Sequence, residues 1–519
     1  MNLQVGITKL EPGWETILKQ IGVPYRDMSN IQGTELAEFA SIIVSKATDH
    51  NDRLALLNYV KSGGTIITEA DLARTLFGIP VKRVYLKYIV PDQDGIFKRL
   101  PPVFIDRRCN VPLDATYLES NTGSRSCLEQ FLGKGKMFVF PSPFSSLMLD
   151  HAIKRKEFYS AFGKKETTER VSSISKGSIR FYVQAALEDL FHFRTLPFVS
   201  LWHFPDGERA ICSFRIDTDF ASQDDIKNLF TVCSRNSIPA TWFVETASSE
   251  QWLNVFAALK NQEIGLHCHR HKIFQRENAN RENINRGLTL LRERAGIVPA
   301  GFAAPYGEWR ASLSRALDHS HFLYSSEFGY AYDSLPCYPY ENNSFATVLQ
   351  VPIHPISVGR LAWGGHSDEA MVRYFEDVIS QKLQLFDPII LYTHPGENRF
   401  HVFNAIFKRI RELNIPVYTL KEYAEWWKKK EAVHFSAIAE NGNLVIAADS
   451  YDTSLWVRIS YPEKEIYVCR LQPTMNFTEK RITEARLENA SFLNDATMFE
   501  TTVRMRWHDI IYRWRKYKQ

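Results

Sequence analysis

From about residue 208 to residue 430 the chain repeats one pattern, a short apolar run followed by a stretch with apolar residues three and four apart. Runs near 210–216, 239–244, 263–266, 300–304, 349–353, 387–393 and 415–419 have strand length. Between them lie helical stripes. One is Ile284, Leu288, Leu291 and Ala295, stopped by Gly296 with Pro299 beyond; another is Met371, Tyr374, Phe375 and Val378. Strand–helix units of this length suit a parallel α/β barrel, whose chemistry sits on the loops at the C-terminal ends of the strands. Asp217, His267, Pro305 and His394 all fall at such ends.

Asp217-Thr-Asp219 closes the apolar run Ala210–Ile216, and Glu263-Ile-Gly-Leu-His267-Cys-His-Arg-His271 follows downstream. Residues two apart in a strand share a face, so Asp217 and Asp219 are expected to look into one pocket and divide the work of base and ligand. Histidines four apart share one side of a helical turn, which lets His267 and His271 reach one ion while His269 points elsewhere. One carboxylate and two imidazoles make three ligands for a divalent metal, zinc first among the candidates, with a position left for water. Taken singly, Asp-x-Asp after a strand also caps a helix, and clustered histidines also occur as surface or core residues. Their order and strand-end settings together point to a metal site.

The same stretch carries a family resemblance. Phe214-Arg-Ile-Asp217-Thr-Asp219, Ile238–Val244, Gly265–His271, Gly301-Phe-Ala-Ala-Pro305-Tyr-Gly307 and Ile389-Ile-Leu-Tyr-Thr-His394-Pro resemble the successive motifs of the NodB-type polysaccharide deacetylases, carbohydrate esterase family four. The resemblance covers roughly 206–430 and implies an irregular (β/α) barrel. It implies Asp217 as general base, Asp219, His267 and His271 as metal ligands, His394 as general acid, and the backbone N–H near Tyr306 as oxyanion donor. Two departures from the family pattern stand out. Thr218 separates the usually adjacent aspartates, and Ala303 stands where an arginine that steers the catalytic Asp is expected. The Arg-Ile-Asp-x-Asp form, with Gly307-Glu-Trp-Arg310, is more similar to the branch that deformylates formamido-arabinose lipids. Arg215, two residues before Asp217 and on the same strand face, is expected to take the missing arginine's place. An ordinary ion-pair partner is the alternative for Arg215. Among the aromatic residues near these loops, Tyr306 and Trp363 are candidate sugar-ring faces.

The resemblance implies removal of an N-acyl group, acetyl or formyl, from a sugar or lipid-linked saccharide of cell-envelope or exopolysaccharide synthesis. Cyclic amide hydrolysis of the allantoinase kind and a decayed carbohydrate-binding site are the competing readings. Lys and Arg number 63 against 59 Asp and Glu, a net charge of +4, too small for nucleic acid to be the expected partner. No run reaches about 18 apolar residues, and the seven cysteines are scattered without paired spacing. A reducing, cytoplasmic setting is expected. Cys268 is expected to pack rather than ligate.

Around this segment, residues 1–165 alternate strand and helix and resemble the flavodoxin-like, amidotransferase-like domains. Neither Cys109 nor Cys127 sits in the tight glycine-flanked turn of a nucleophile, so that domain is expected to be catalytically inert. Residues 166–205 read as a linker and connecting helix. Beyond 430 the period becomes two, and residues 431–519 read as a small β-sandwich with a basic aromatic tail. In that tail, residues 504–518, Trp507, Ile510, Ile511 and Trp514 form one stripe among basic residues. Peripheral contact with an anionic inner membrane and docking on the β-domain are its two readings.

Overall fold

The computed structural model describes all residues except 29–30, 32–34, 47–49, 159–166, 441–442, 464, 478–502, 504–505, 508–509 and 512–519. The chain forms two compact units. One comprises 1–149, 174–209 and 426–492; the other comprises 150–173, 210–425 and 493–519. These divisions differ from those expected at 165, 205 and 430. The expected linker contributes to both units, because its first part pairs as a strand with residues near 155 and its later part is helical.

The second unit is built on seven parallel strands: β1 Cys212–Asp217, β2 Thr241–Val244, β3 Glu263–Leu266, β4 Gly301–Phe302, β5 Tyr324–Ser325, β6 Leu349–Gln350 and β7 Ile389–Thr393. Their order is β6-β5-β4-β3-β2-β1-β7, so the last strand returns to lie beside the first. Every residue of β1, β2 and β7 is buried, as expected for parallel strands covered on both faces. Between them, helix Glu277–Ala295 buries Ile284, Leu290 and Leu291 and ends at Gly296, whose φ of 66° is the left-handed C-cap conformation. Gly301 is required in β4, since a Cβ there would lie 2.1 Å from the Tyr324 ring.

The sheet is less regular than the expected barrel. The run at 349–353 stops after two strand residues, as Pro352 cannot donate to a ladder. The run at 415–419 touches β1 only through Val417 opposite Cys212, held by Cys212 N–H to Pro416 O and Tyr418 N–H to Cys212 O, each 2.9 Å. Among the described residues no ladder joins β6 to β7; a backbone bond from His354 N–H to Ile390 O, 2.9 Å, and one from the Tyr392 hydroxyl to the Pro355 carbonyl, 3.1 Å, link the segment after β6 to β7. A hairpin of Ile153–Glu157 and Thr168–Ser172 completes this unit.

The first unit holds a nine-stranded mixed sheet. Five strands, Val5–Ile7, Tyr25–Asp27, Ser41–Val44, Thr65–Glu69 and Gly135–Phe140, pair in parallel, and four antiparallel strands from 81 to 132 extend the edge beyond Gly135–Phe140. Helix Pro12–Ile21 buries Trp14, Ile17, Leu18 and Ile21 and closes at Gly22, φ 75°. Among the described residues the late strands form no sandwich of their own. They fall in two three-stranded sheets, and one of these pairs Trp456–Ser460 with Phe198–Leu201, a segment expected to be linker. The turn at Asn441-Gly442 and most of the tail 504–518 lie outside the described residues. Among the described residues no helix is long and apolar enough to cross a membrane.

Candidate active and metal site

Asp217 ends β1 and is 3% exposed, with Arg215 two positions earlier on the same strand at 1%. The Arg215 guanidinium grips both carboxylate oxygens: Nε donates to Oδ1 and Nη2 to Oδ2, each at 2.6 Å, while Nη1 donates to the carbonyl of Ser326. Burial alone would raise the Asp217 carboxyl. The charges of Arg215, then His267, and the Arg215 hydrogen bonds outweigh it and hold the carboxyl below its usual range. Both readings of Arg215, the arginine that steers Asp217 and an ordinary ion-pair partner, share this geometry.

Asp219 lies beyond the strand, in a turn where Phe220 takes φ 56°, so the shared-strand-face expectation for the two aspartates does not hold. The turn rather than the pleat brings Asp219 to the histidines. His267 directly follows β3, and the residues to His271 form no helix; Cys268 takes φ 67° and a bend returns His271. The i,i+4 spacing thus joins the two imidazoles through a loop instead of a helical turn. Cys268 is fully buried, and burial pushes its thiol well up, in keeping with packing. His269 faces away, with Nδ1 3.1 Å from Thr246 Oγ1.

Asp219, His267 and His271 each offer an atom within 4.8 Å of the others. Asp219 Oδ1 stands 3.6 Å from His267 Nε2, and Oδ2 stands 3.4 Å from His271 Nε2. Ligands about 2.1 Å from a tetrahedral zinc lie about 3.4 Å apart, so the spacing fits one ion. The proton inventory fits it too. His267 Nδ1 lies 2.8 Å from the Ala303 carbonyl, which can only accept, so Nδ1 carries a proton and Nε2 is the ring atom turned to the carboxylate. His271 is pushed down to about 4, by burial first and then by His267, and is therefore neutral near pH 7. Asp219 Oδ1 is buried without a hydrogen-bond partner. One carboxylate and two imidazoles converging in this way, with a buried carboxylate oxygen left unpartnered, are a donor set for a cation.

His394 follows β7, its Nε2 3.7 Å from Asp219 Oδ1 and its Nδ1 2.8 Å from Glu397 Oε1. Burial would lower it, but the Glu397 hydrogen bond, then the charges of Asp219, Glu397 and Asp217, raise it to about 9. Glu397 also accepts from Thr393 Oγ1 at 2.9 Å and from the Gly359 N–H at 2.7 Å. This residue escaped the sequence reading, although a carboxylate three residues after a histidine, across Pro395-Gly396, is a visible signal. Phe220, 73% exposed, was missed as well; its ring lies 5.5 Å from that of His271.

Tyr306 sits in a turn after Pro305 with φ 58°, its ring 4.7 Å from that of His271. Trp363 is half exposed, beside Arg360. His354 and His366 serve packing: His354 Nε2 meets Tyr374 OH at 2.8 Å and His366 Nδ1 meets the Leu361 carbonyl at 3.0 Å.

Residues 215–322 match the family model described as polysaccharide deacetylase. No curated protein matches the sequence. Solved structures similar to part of the chain include one described as a probable polysaccharide deacetylase from Pseudomonas aeruginosa PAO1, at 17% identity, covering 44% of this chain and 93% of that one with a TM-score of 0.39. A family 4 carbohydrate esterase from Streptomyces lividans in complex with acetate is 13% identical over 40% of this chain and 91% of that one, TM-score 0.30. The PuuE allantoinase is 16% identical over 44% and 93%, TM-score 0.38.

Proposed function

We propose that the protein is a metal-dependent hydrolase that removes an N-acyl group, acetyl or formyl, from a sugar or lipid-linked saccharide of cell-envelope or exopolysaccharide synthesis. The observation that carries this reading is the juxtaposition of three groups. An arginine-held carboxylate (Asp217), a converging carboxylate and two imidazoles (Asp219, His267, His271) and a carboxylate-held imidazole (His394) stand together; the first two groups lie within residues 215–322, which match the polysaccharide deacetylase family model, and His394 lies beyond them.

A divalent cation, zinc first among candidates, supplies Lewis-acid polarisation and a more acidic water when bound by Asp219, His267 and His271. The remaining work falls to the chain. Asp217, kept ionised by Arg215, accepts the proton of the attacking water. The tetrahedral oxyanion needs a donor, and the backbone N–H of Tyr306 is the group assigned to it. His394, held protonated by Glu397, gives its proton to the nitrogen as the C–N bond breaks. The products are a carboxylic acid and a free amine. An amine leaves poorly unless protonated, which is why base and acid are both needed.

Ala303 in place of the family arginine speaks for the competing reading of a decayed site. The bidentate Arg215–Asp217 pair speaks against it, because a guanidinium two residues before Asp217 on its own strand is placed to take that arginine's part. Incubation with a panel of N-acetyl and N-formyl saccharides, following acetate and formate, tests the proposal. Acid release that disappears in Asp217→Asn and His394→Ala supports it; a metal-loaded protein that releases neither acid from any member refutes it.

A further inference from the structure

Beside Tyr306 opens a cavity of about 800 Å³ that the reaction scheme leaves unused. Tyr306 lines it and also stands against His271, so one side chain links the cavity to the metal set. On its other side is Arg360, on the short helix Val358–Trp363. The Gly359 N–H of that helix donates to Glu397, the carboxylate that holds His394.

The lining is basic. Arg155, Arg170, Arg310, Arg315 and Arg360 face two carboxylates, Glu169 and Glu308. Glu169 binds Arg360 and Glu308 binds Arg310, while Arg315 is held by Glu277 at 2.9 Å and Glu341 at 2.6 Å, neither of which lines the cavity. Among the lining residues guanidinium groups exceed carboxylates by three, five less two. Arg155, from the hairpin strand Ile153–Glu157, donates to the neutral hydroxyl of Thr168 at 3.2 Å. A guanidinium has five N–H donors, more than the one or two that such carboxylates engage, and its fork matches two oxygens of one oxyanion. Neighbouring carboxylates also fix the forks in place, which lowers the entropy lost on binding.

We propose that this cavity binds an oxyanion, phosphate or carboxylate, carried by the saccharide next to its N-acyl group, so that the substrate is an anionic rather than a neutral saccharide. The inference rests on the N-acyl hydrolase reading, and adds the substrate class to it.

The test uses the unmodified, metal-loaded protein and three probes: N,N′-diacetylchitobiose, which is neutral; N-acetylglucosamine 1-phosphate; and a disaccharide of N-acetylglucosamine and glucuronic acid. Acetate release gives kcat/KM for each, and calorimetry gives binding independently of turnover. At least one anionic probe is expected to be favoured by about tenfold or more, mainly through KM. That preference should shrink as salt rises from about 0.05 to about 0.5 M, where screening lengths fall to a few ångströms. Whichever anionic probe wins identifies phosphate or carboxylate as the source. In Arg155→Gln/Arg170→Gln the ratio of anionic to neutral kcat/KM should fall about tenfold. Should that variant fail to fold, the salt dependence of the unmodified protein still decides. Equal or better use of the neutral probe, or an unchanged ratio in a folded variant, overturns the proposal. If no probe is hydrolysed, the hydrolase reading fails for these substrates, while binding of the anionic but not the neutral probe still upholds the cavity's role and binding of none refutes it.

Discussion

Replacing Arg215 by Gln should uncouple the candidate base from its ionised state. The substitution removes two charge-assisted hydrogen bonds of 2.6 Å between side chains that are 1% and 3% exposed, so solvent cannot take over the guanidinium's role. Removing one partner of such a buried pair costs about 3–5 kcal/mol, since the remaining carboxylate is left in a low-dielectric site. At about 1.36 kcal/mol per pKa unit, 3 kcal/mol is about two units. The acidic limb of kcat/KM should therefore move up by about two pH units in Arg215→Gln. The sign in stability follows the same route. In the native protein the Asp217 carboxyl is depressed, so its contribution is present above the unfolded carboxylate value and is lost as pH falls through the folded one. In the variant burial dominates and the carboxyl is raised. The stability deficit is then largest near neutral pH and shrinks as acid protonates the orphaned group. Urea unfolding at several pH values and a pH–rate profile measure both effects. A variant whose acidic limb stays within about half a unit and whose midpoint is unchanged at pH 7 would refute the coupling.

Asp219→Asn, His267→Ala and His271→Ala should each lose metal by elemental analysis after gel filtration, whereas Asp217→Asn should retain it and lose turnover. Glu397→Gln removes the hydrogen bond and charge that raise His394 to about 9, so the alkaline limb of the pH profile should move down by about one unit or more. Because the folded His394 value is raised, its stabilisation is full below about 6.5 and vanishes as pH rises through about 9; the variant should lose stability mainly on the acid side of that window. In the first unit, Cys109 and Cys127 are buried, Cys109 pushed up to about 12 and Cys127 well up. Neither should alkylate with iodoacetamide at pH 8 in the folded protein, and no glutamine-dependent ammonia release should be seen.

Much of the second unit was legible because its strands are buried on both faces and therefore appear as short, largely apolar runs: Cys212–Asp217, Thr241–Val244 and Ile389–Thr393. The site followed, since polar residues at the ends of such runs have few structural reasons to be there. Local geometry was less legible. A four-residue spacing of histidines serves a loop as well as a helix, and nothing in Cys268 announces its positive φ. The strand Tyr324–Ser325 is too short to leave a periodic trace. The strand pair lining the arginine cavity is split in the sequence reading: Ile-Lys-Arg-Lys-Glu falls within the 1–165 domain, and the charged Thr-Glu-Arg-Val-Ser reads as part of a linker. Its role comes from partners far away in sequence, such as Arg360 bound to Glu169. Pairing of that kind is fixed by the tertiary fold and not by local composition.

The most direct test of the central claim compares chelator-stripped protein with the same protein given about one equivalent of Zn²⁺, the stoichiometry of a single three-ligand site. Acetate or formate release from N-acyl saccharides is followed together with the appearance of free amine. The account predicts no release from the stripped protein and restored release on zinc addition, one acid for each amine freed. Release that does not depend on metal, or a fully loaded protein that frees neither acid nor amine, would contradict it.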